Sequence, residues 1–230
     1  MSMGACLTAS AAIAAGASLV TFAVRAALLG LQAAREVAAL PPVRLPGPAR
    51  AAARRAGARR VTCVRAGGPA VFCAGLWRPR IYLTDTAARA LSPAELDAVF
   101  AREAAHARRR DPVRRLAARA AADVLFYLPL AAWWSGHQAE NAELAADRAA
   151  ITHAGPKAVA AALLSIATPP KHQATAAVPY GGAIGVRIAQ LSGETIPPRR
   201  PQAKPVIVSL LGLALIISLA MCIGQVMPGL

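Results

Sequence analysis

Glu103 and His106 stand three residues apart in Arg102-Glu103-Ala104-Ala105-His106, and Glu143 and Asp147 stand four apart in Glu143-Leu144-Ala145-Ala146-Asp147. Three- and four-residue spacings put side chains on one face of a helix, so each pair can address a common partner. An imidazole nitrogen and a carboxylate oxygen together suit zinc, with a further glutamate activating a metal-bound water. In the complete pattern, His-Glu-x-x-His, both histidines ligate. Here the first position is Arg102, which stays protonated and has no lone pair to offer. The candidate roles are therefore general base for Glu103, metal ligand for His106 and Glu143, and support from behind a ligand for Asp147. Either short pattern alone also suits a solvated helix face; the two in combination are what point to a metal.

These pairs need two helices to carry them. Ser92-Pro93-Ala94-Glu95 is a capping box with Pro in the first turn, and Leu96, Val99, Phe100 and Ala104 follow at helical spacing, so a helix starts at Ser92 and carries Glu103 and His106. Asp111-Pro112 opens a second helix, expected to reach about Trp134, and a third is expected over 138–154, ending at Gly155 and carrying Glu143. A short helix over 156–167 completes this part. Upstream, 61–64, 70–76 and 80–84 are rich in β-branched and apolar residues between turn signals, which predicts a small three-stranded sheet. The prolines of 40–48 and the Arg-rich stretch to Arg60 read as a basic linker or solvated helix over 41–60, and the Pro- and Gly-containing stretch 168–205 as a second linker.

The composition places this domain at a membrane. Hydrophobic residues make up 56% of 230 positions, above the usual share of a soluble domain. Segments 5–24 and 206–227 are uncharged over lengths that match the roughly 20 residues of a transmembrane helix. No Lys or Arg precedes the first, which favours an anchor within region 1–40 over a cleaved signal peptide. The net charge of +15 comes mostly from Arg in an Ala-rich chain, so no direct nucleic-acid partner is expected. Eighteen Lys and Arg fall between Arg25 and Arg115, and basic loops stay in the cytoplasm, so the middle of the chain is expected there, with both ends outside and the last helix over 206–230. The apolar run within 116–134 is too short for a crossing, and a site shared by His106 and Glu143 needs both on one side; the segment is expected at the interface, where Trp133 and Trp134 suit the headgroup level, or buried in the domain. Cys63 and Cys73 then face a reducing compartment and form no disulfide framework, and Cys6 and Cys222 fall in the membrane helices.

From Leu76-Trp77-Arg78-Pro79-Arg80-Ile81-Tyr82-Leu83-Thr84, through Leu91-Ser92-Pro93-Ala94-Glu95-Leu96 and Arg102 to His106 with Arg109-Arg110-Asp111-Pro112, to Glu143–Asp147 with Arg148-Ala149-Ala150, the order of pieces resembles the BlaR/MecR-type integral-membrane zinc metallopeptidases of the gluzincin group. The resemblance implies a mainly α membrane protein with a gluzincin-like (minimal zincin) α+β domain over 61–167, flanked by transmembrane helices. It further implies zinc as cofactor and a substrate-pairing edge strand at Arg80, Ile81, Tyr82, Leu83 and Thr84. Its partners would be the lipid bilayer and a protein substrate or client at the cytoplasmic face, a winged-helix repressor among the candidates. The chain departs from the family in its first zinc ligand, in having a single apolar helix before the domain, and in ending after its last helix without the sensor domain, so β-lactam sensing is not expected. Arg102 favours a pseudopeptidase regulator of the cell membrane. An active zinc endopeptidase with a substitute ligand such as His137 or His153 is the first alternative; a membrane interaction protein without peptidase ancestry is the second.

Overall fold

The computed structural model describes residues 3–166, 183–194 and 200–226. Helix α1 (Met3–Ala38) runs well past position 24, because Ala and Leu between Arg25 and Glu36 sustain helical propensity until Pro41 and Pro42 halt it. Within it Ala12–Ala38 is long and apolar enough to cross a membrane, the one such stretch among the described residues. Ile13, Leu19, Val20 and Val24 are exposed along it.

The segment expected as a linker is part of the folded domain. Strand β1 (Pro42–Val43) is followed by helix α2 (Gly47–Arg55), whose prolines lie before and within the first turn, where a missing N–H costs nothing. Ala49, Ala52 and Ala53 form its buried face, while Arg50, Arg54 and Arg55 point outward. The basic character seen in sequence is thus only the outer half of a core helix.

Strands β2 (Val61–Val64), β3 (Val71–Ala74) and β4 (Arg80–Thr84) join β1 in a four-stranded mixed sheet of order β1-β2-β4-β3, against the three strands expected; a two-residue strand leaves no periodicity to read. Strands β2 and β4 run parallel with Val61 opposite Ile81, and β3 pairs antiparallel to β4 with Ala74 opposite Arg80. This order corrects the assignment of Arg80, Ile81, Tyr82, Leu83 and Thr84 to an edge strand. Strand β4 has neighbours on both sides, and Ile81 and Leu83 are buried, as a central strand requires. The free edge on that side is β3.

Thr84 closes β4 and caps helix α3 (Asp85–Ala90) through its hydroxyl, which accepts from the Ala87 N–H. Helix α4 (Pro93–Arg109) starts with the full capping box: the Ser92 side chain accepts from Glu95 N–H, and the Glu95 carboxylate from Ser92 N–H. It buries Leu96, Val99, Phe100 and Ala104 against α2, the sheet and, further along the chain, helix α7 (Pro156–Ile166). Alanines provide much of this core, which lets the helices approach closely around Phe100 and Leu83.

Helix α5 (Asp111–Val124) ends earlier than expected, and α6 (Pro129–Ala154) begins at Pro129, so Trp133, Trp134 and Glu143 share one helix. Proline has no N–H to donate to a continuing helix but suits a first turn, which puts the break at 125–128. Gly155, at φ 83°, takes the left-handed conformation that ends α6. Helix α8 (Ala183–Leu191) lies in the stretch expected as a linker at 168–205, of which 168–182 and 195–199 fall outside the described residues. Helix α9 (Ala203–Val226) covers the second apolar segment up to its last described residue, and Leu210, Leu211, Leu215 and Ile217 on it are exposed.

The chain divides into two compact units. One joins α1 up to Leu29, the stretch Leu116–His137 and α9. Within it Arg25 Nε donates to Asp123 Oδ2 at 2.8 Å, Leu130 N–H donates to Ser209 Oγ at 2.9 Å, and Gly212 lies so close to the Tyr127 carbonyl that a Cβ would come within 3.0 Å of it. The other unit spans Gly30–Arg115 and the described part of 138–198, and it holds the sheet, the Phe100 core and every residue of the candidate site.

Candidate functional site

Helix α4 presents Arg102, Glu103 and His106, and α6 presents Glu143 and Asp147. The structure brings all five together. Arg102 is the centre: its Nε donates to Asp147 Oδ1 at 3.1 Å, its Nη1 to Glu103 Oε1 at 2.6 Å, and its Nη2 to Glu143 Oε2. Three carboxylates thus converge on the one side chain that stands where the motif has a histidine.

Two further arginines complete the cluster. Arg115 of α5 donates to Glu143 Oε1. Arg187 of α8 donates from Nε to Asp147 Oδ2 at 2.6 Å and from Nη2 to Asp147 Oδ1 at 3.0 Å, and its Nη1 lies 3.8 Å from Glu143 Oε2. Gln190, one turn on, donates to the Leu144 carbonyl at 3.0 Å and pins α8 to α6. Neither arginine is recognisable from the metal motif. Arg187 and Gln190, three apart on a short apolar helix, carried a helical signal that the surrounding Gly and Pro concealed.

Burial weighs against charge at Arg102 and Glu143, and the ion pairs outweigh it there. Burial alone would lower the Arg102 pKa, but Glu143, Glu103 and Asp147 raise it above its ordinary value. Burial alone would raise the Glu143 pKa, but Arg102 and Arg115 hold its carboxyl well below the usual range. Three guanidinium groups face three carboxylates, so the cluster balances its charge without a metal ion.

His106 keeps a ligand's posture. Its Nδ1 lies 2.8 Å from Oδ2 of Asp111, a residue only 2% exposed at the start of α5. A proton on Nδ1 satisfies that carboxylate and leaves a lone pair on Nε2, the arrangement by which a carboxylate fixes a metal-binding histidine. Nε2 is buried without a hydrogen-bond partner, 3.8 Å from Glu143 Oε1. The role foreseen for Asp147, holding a ligand histidine from behind, is played toward His106 by Asp111; Asp147 holds Arg102 and Arg187 instead.

Cys73 on β3 borders the site. Its thiol is pushed up to about 12, chiefly by burial, with Glu103 and Asp111 adding to the shift, so it stays protonated at neutral pH. The suggested substitute ligands lie elsewhere: His137 stacks on Trp133, and His153 is exposed in the last turn of α6.

Two helices bearing Glu-x-x-His and Glu-x-x-x-Asp, bridged by Arg102 beside a small sheet, define a metallopeptidase-type scaffold. The chain matches the family described as BlaR1 peptidase M56 over residues 4–191, most of its length, and it belongs to that family. No curated protein matches it. Membership overturns the reading without peptidase ancestry.

M56 peptidases are generally zinc-dependent, and the residues present do not fit that ion as they stand. Among the described residues no group of three His, Cys, Asp or Glu side chains could hold a metal. His106 Nε2 is available, but each Glu143 oxygen already accepts from a guanidinium. Two unit charges 4 Å apart in such a site interact by about 4 kcal/mol, so a guanidinium at that distance would repel a dication by about 8 kcal/mol. Arg102 therefore opposes zinc twice, by occupying the carboxylates and by its own charge.

Proposed function

We propose that this chain is a membrane-anchored M56-family protein that has exchanged its metal for an arginine, and that it acts as a non-hydrolytic regulator or scaffold. The observation that carries this reading is the donation of Arg102 to Glu103, Glu143 and Asp147 at once. Glu103 would have to activate a water, yet its Oε1 is engaged by Nη1 of the same guanidinium. A protein segment at the cytoplasmic face would be the client, a winged-helix repressor among the candidates. It would pair with β3, whose outer edge is free and which packs against α4.

Membrane anchoring follows the two apolar helices. Helix α1 is the stronger candidate; α9 would cross as well, giving a multi-pass protein with its basic middle in the cytoplasm. The packing of 116–137 with both helices suits a segment at the membrane rather than in the catalytic domain.

The active-peptidase reading keeps one observation in its favour, the pre-oriented and unpartnered Nε2 of His106 facing Glu143. Peptide cleavage by the purified chain in detergent, compared with Glu103→Gln, separates the two. No cleavage by either supports the regulator; cleavage lost in Glu103→Gln supports the enzyme.

A further inference from the structure

We propose that one end of the sheet is a docking surface for anionic lipid headgroups, with Trp77 as its interfacial anchor. The register assembles this end from three separate stretches. Val61 opposite Ile81 brings Arg60 beside Arg80, with the Ile81 N–H donating to the Arg60 carbonyl at 2.8 Å. Val43 opposite Cys63 brings Arg44 beside Thr62, whose hydroxyl accepts from Arg80 Nη1 at 3.1 Å. Ala74 opposite Arg80 places the β3–β4 turn, with Trp77 and Arg78, at the same end. Arg59 leads into β2 there.

The turn is built to expose its tip. Gly75 has φ 108°, and a Cβ there would meet the Arg78 carbonyl at 3.2 Å, so glycine lets the chain fold back tightly. Trp77 is left 87% exposed, the most exposed of the large apolar side chains in the described residues. Arg44, Arg59, Arg60, Arg78 and Arg80 are all exposed, and none has an acidic partner among the described residues. Exposed arginines elsewhere are of both kinds, Arg55 paired with Asp97 and Arg89 with Asp85 but Arg54, Arg108 and Arg148 without an acidic partner among the described residues, so it is the grouping around Trp77 that sets this end apart.

Unpaired guanidinium groups around a single exposed indole match one surface chemistry well. Phosphate accepts the planar donors of arginine, and tryptophan settles at the headgroup level with its ring toward the acyl chains. Basic segments beside a membrane anchor bind anionic leaflets in this way. The apolar helix α1 leads into the unit that bears this patch, so a bilayer would be the nearest polyanion. The surface lies outside the Arg102 cluster and does not depend on whether that site binds metal.

The test is fluorescence of the full chain in lipid nanodiscs, with acyl-chain-brominated lipid as quencher. Trp133 and Trp134 are the other indoles, so Trp77→Phe supplies the subtraction. The expected result is quenching of the Trp77 signal in discs containing phosphatidylserine or phosphatidylglycerol. The quenching should fall to the neutral-disc level in Arg59→Gln/Arg60→Gln/Arg78→Gln, whose exposed side chains leave the circular dichroism unchanged. Trp77 emission that is unquenched, or quenched equally in neutral discs, overturns the proposal. A blue shift with polyglutamate or an oligonucleotide, without lipid quenching, also overturns it and assigns the patch to an acidic macromolecule.

Discussion

Asp111 Oδ2 lies 2.8 Å from His106 Nδ1, so the imidazole is held with Nε2 toward Glu143 although Arg102 takes the place of a first ligand. The carboxylate that would orient a ligand histidine is thus in place, while no group of three ligand-type side chains is assembled among the described residues. In an Arg102→His chain, where zinc binding should return, Asp111→Ala should then lower zinc affinity about 10- to 100-fold, as removal of such carboxylates does. Competition with a fluorescent chelator measures this; unchanged affinity would mean that Asp111 does not orient the ring.

Arg102 also matters for stability. Its side chain is 19% exposed, and Arg102→Ala leaves Glu143 to Arg115 and Asp147 to Arg187 but strips the buried Glu103 of its guanidinium. Breaking a buried ion cluster on one side costs about 3–5 kcal/mol, and partial exposure places this case near about 3. A drop in apparent Tm in detergent on the order of 10 °C is expected for Arg102→Ala. A change of only a degree or two would show that solvent already screens the cluster.

Much of the framework was legible because its signals are local. Ser92-Pro93-Ala94-Glu95 fixed the start of α4, Gly155 fixed the end of α6, and β-branched runs marked β2, β3 and β4. What escaped depends on pairing between distant segments. Nothing within Arg80–Thr84 says that β2 and β3 flank it on both sides, and nothing in Arg50, Arg54 and Arg55 says that the alanines between them are buried. In the site, the motif exposed Arg102, Glu103, His106, Glu143 and Asp147. Arg115 and Arg187 join only through tertiary packing, and the helix-start reading of Asp111 hid its contact with His106.

The capping box of α4 should show in acid. Hydrogen bonds from the Ser92 side chain and N–H hold the Glu95 pKa below its ordinary value, burial opposing and Ser165 adding. A depressed carboxylate stabilises above its unfolded pKa of about 4.3 and loses that contribution as pH falls through its lower folded value. Glu95→Ala should cost about 1 kcal/mol at pH 7. Its apparent Tm deficit against wild type should narrow below about pH 4; a deficit that widens in acid contradicts this.

Topology has its own test. Arg65 is exposed between β2 and β3, so Arg65→Cys in a background with Cys6, Cys63, Cys73 and Cys222 all replaced by Ser should react with impermeant maleimide only after the cytoplasmic face is opened. Labelling of intact cells would place the domain outside. Even there Cys63 and Cys73 should not pair. They lie on β2 and β3 with β4 between, two strand spacings of about 4.8 Å each, beyond the roughly 7 Å limit for a disulfide.

The proposed replacement of zinc by Arg102 is tested most directly by metal content, measured on wild type and Arg102→His purified in detergent without chelator. The wild type should carry far less than one zinc per chain, and Arg102→His, with two imidazoles one turn apart beside Glu143, should approach one. Stoichiometric zinc in the wild type would contradict the account, because Arg102 would then have to leave the carboxylates it holds.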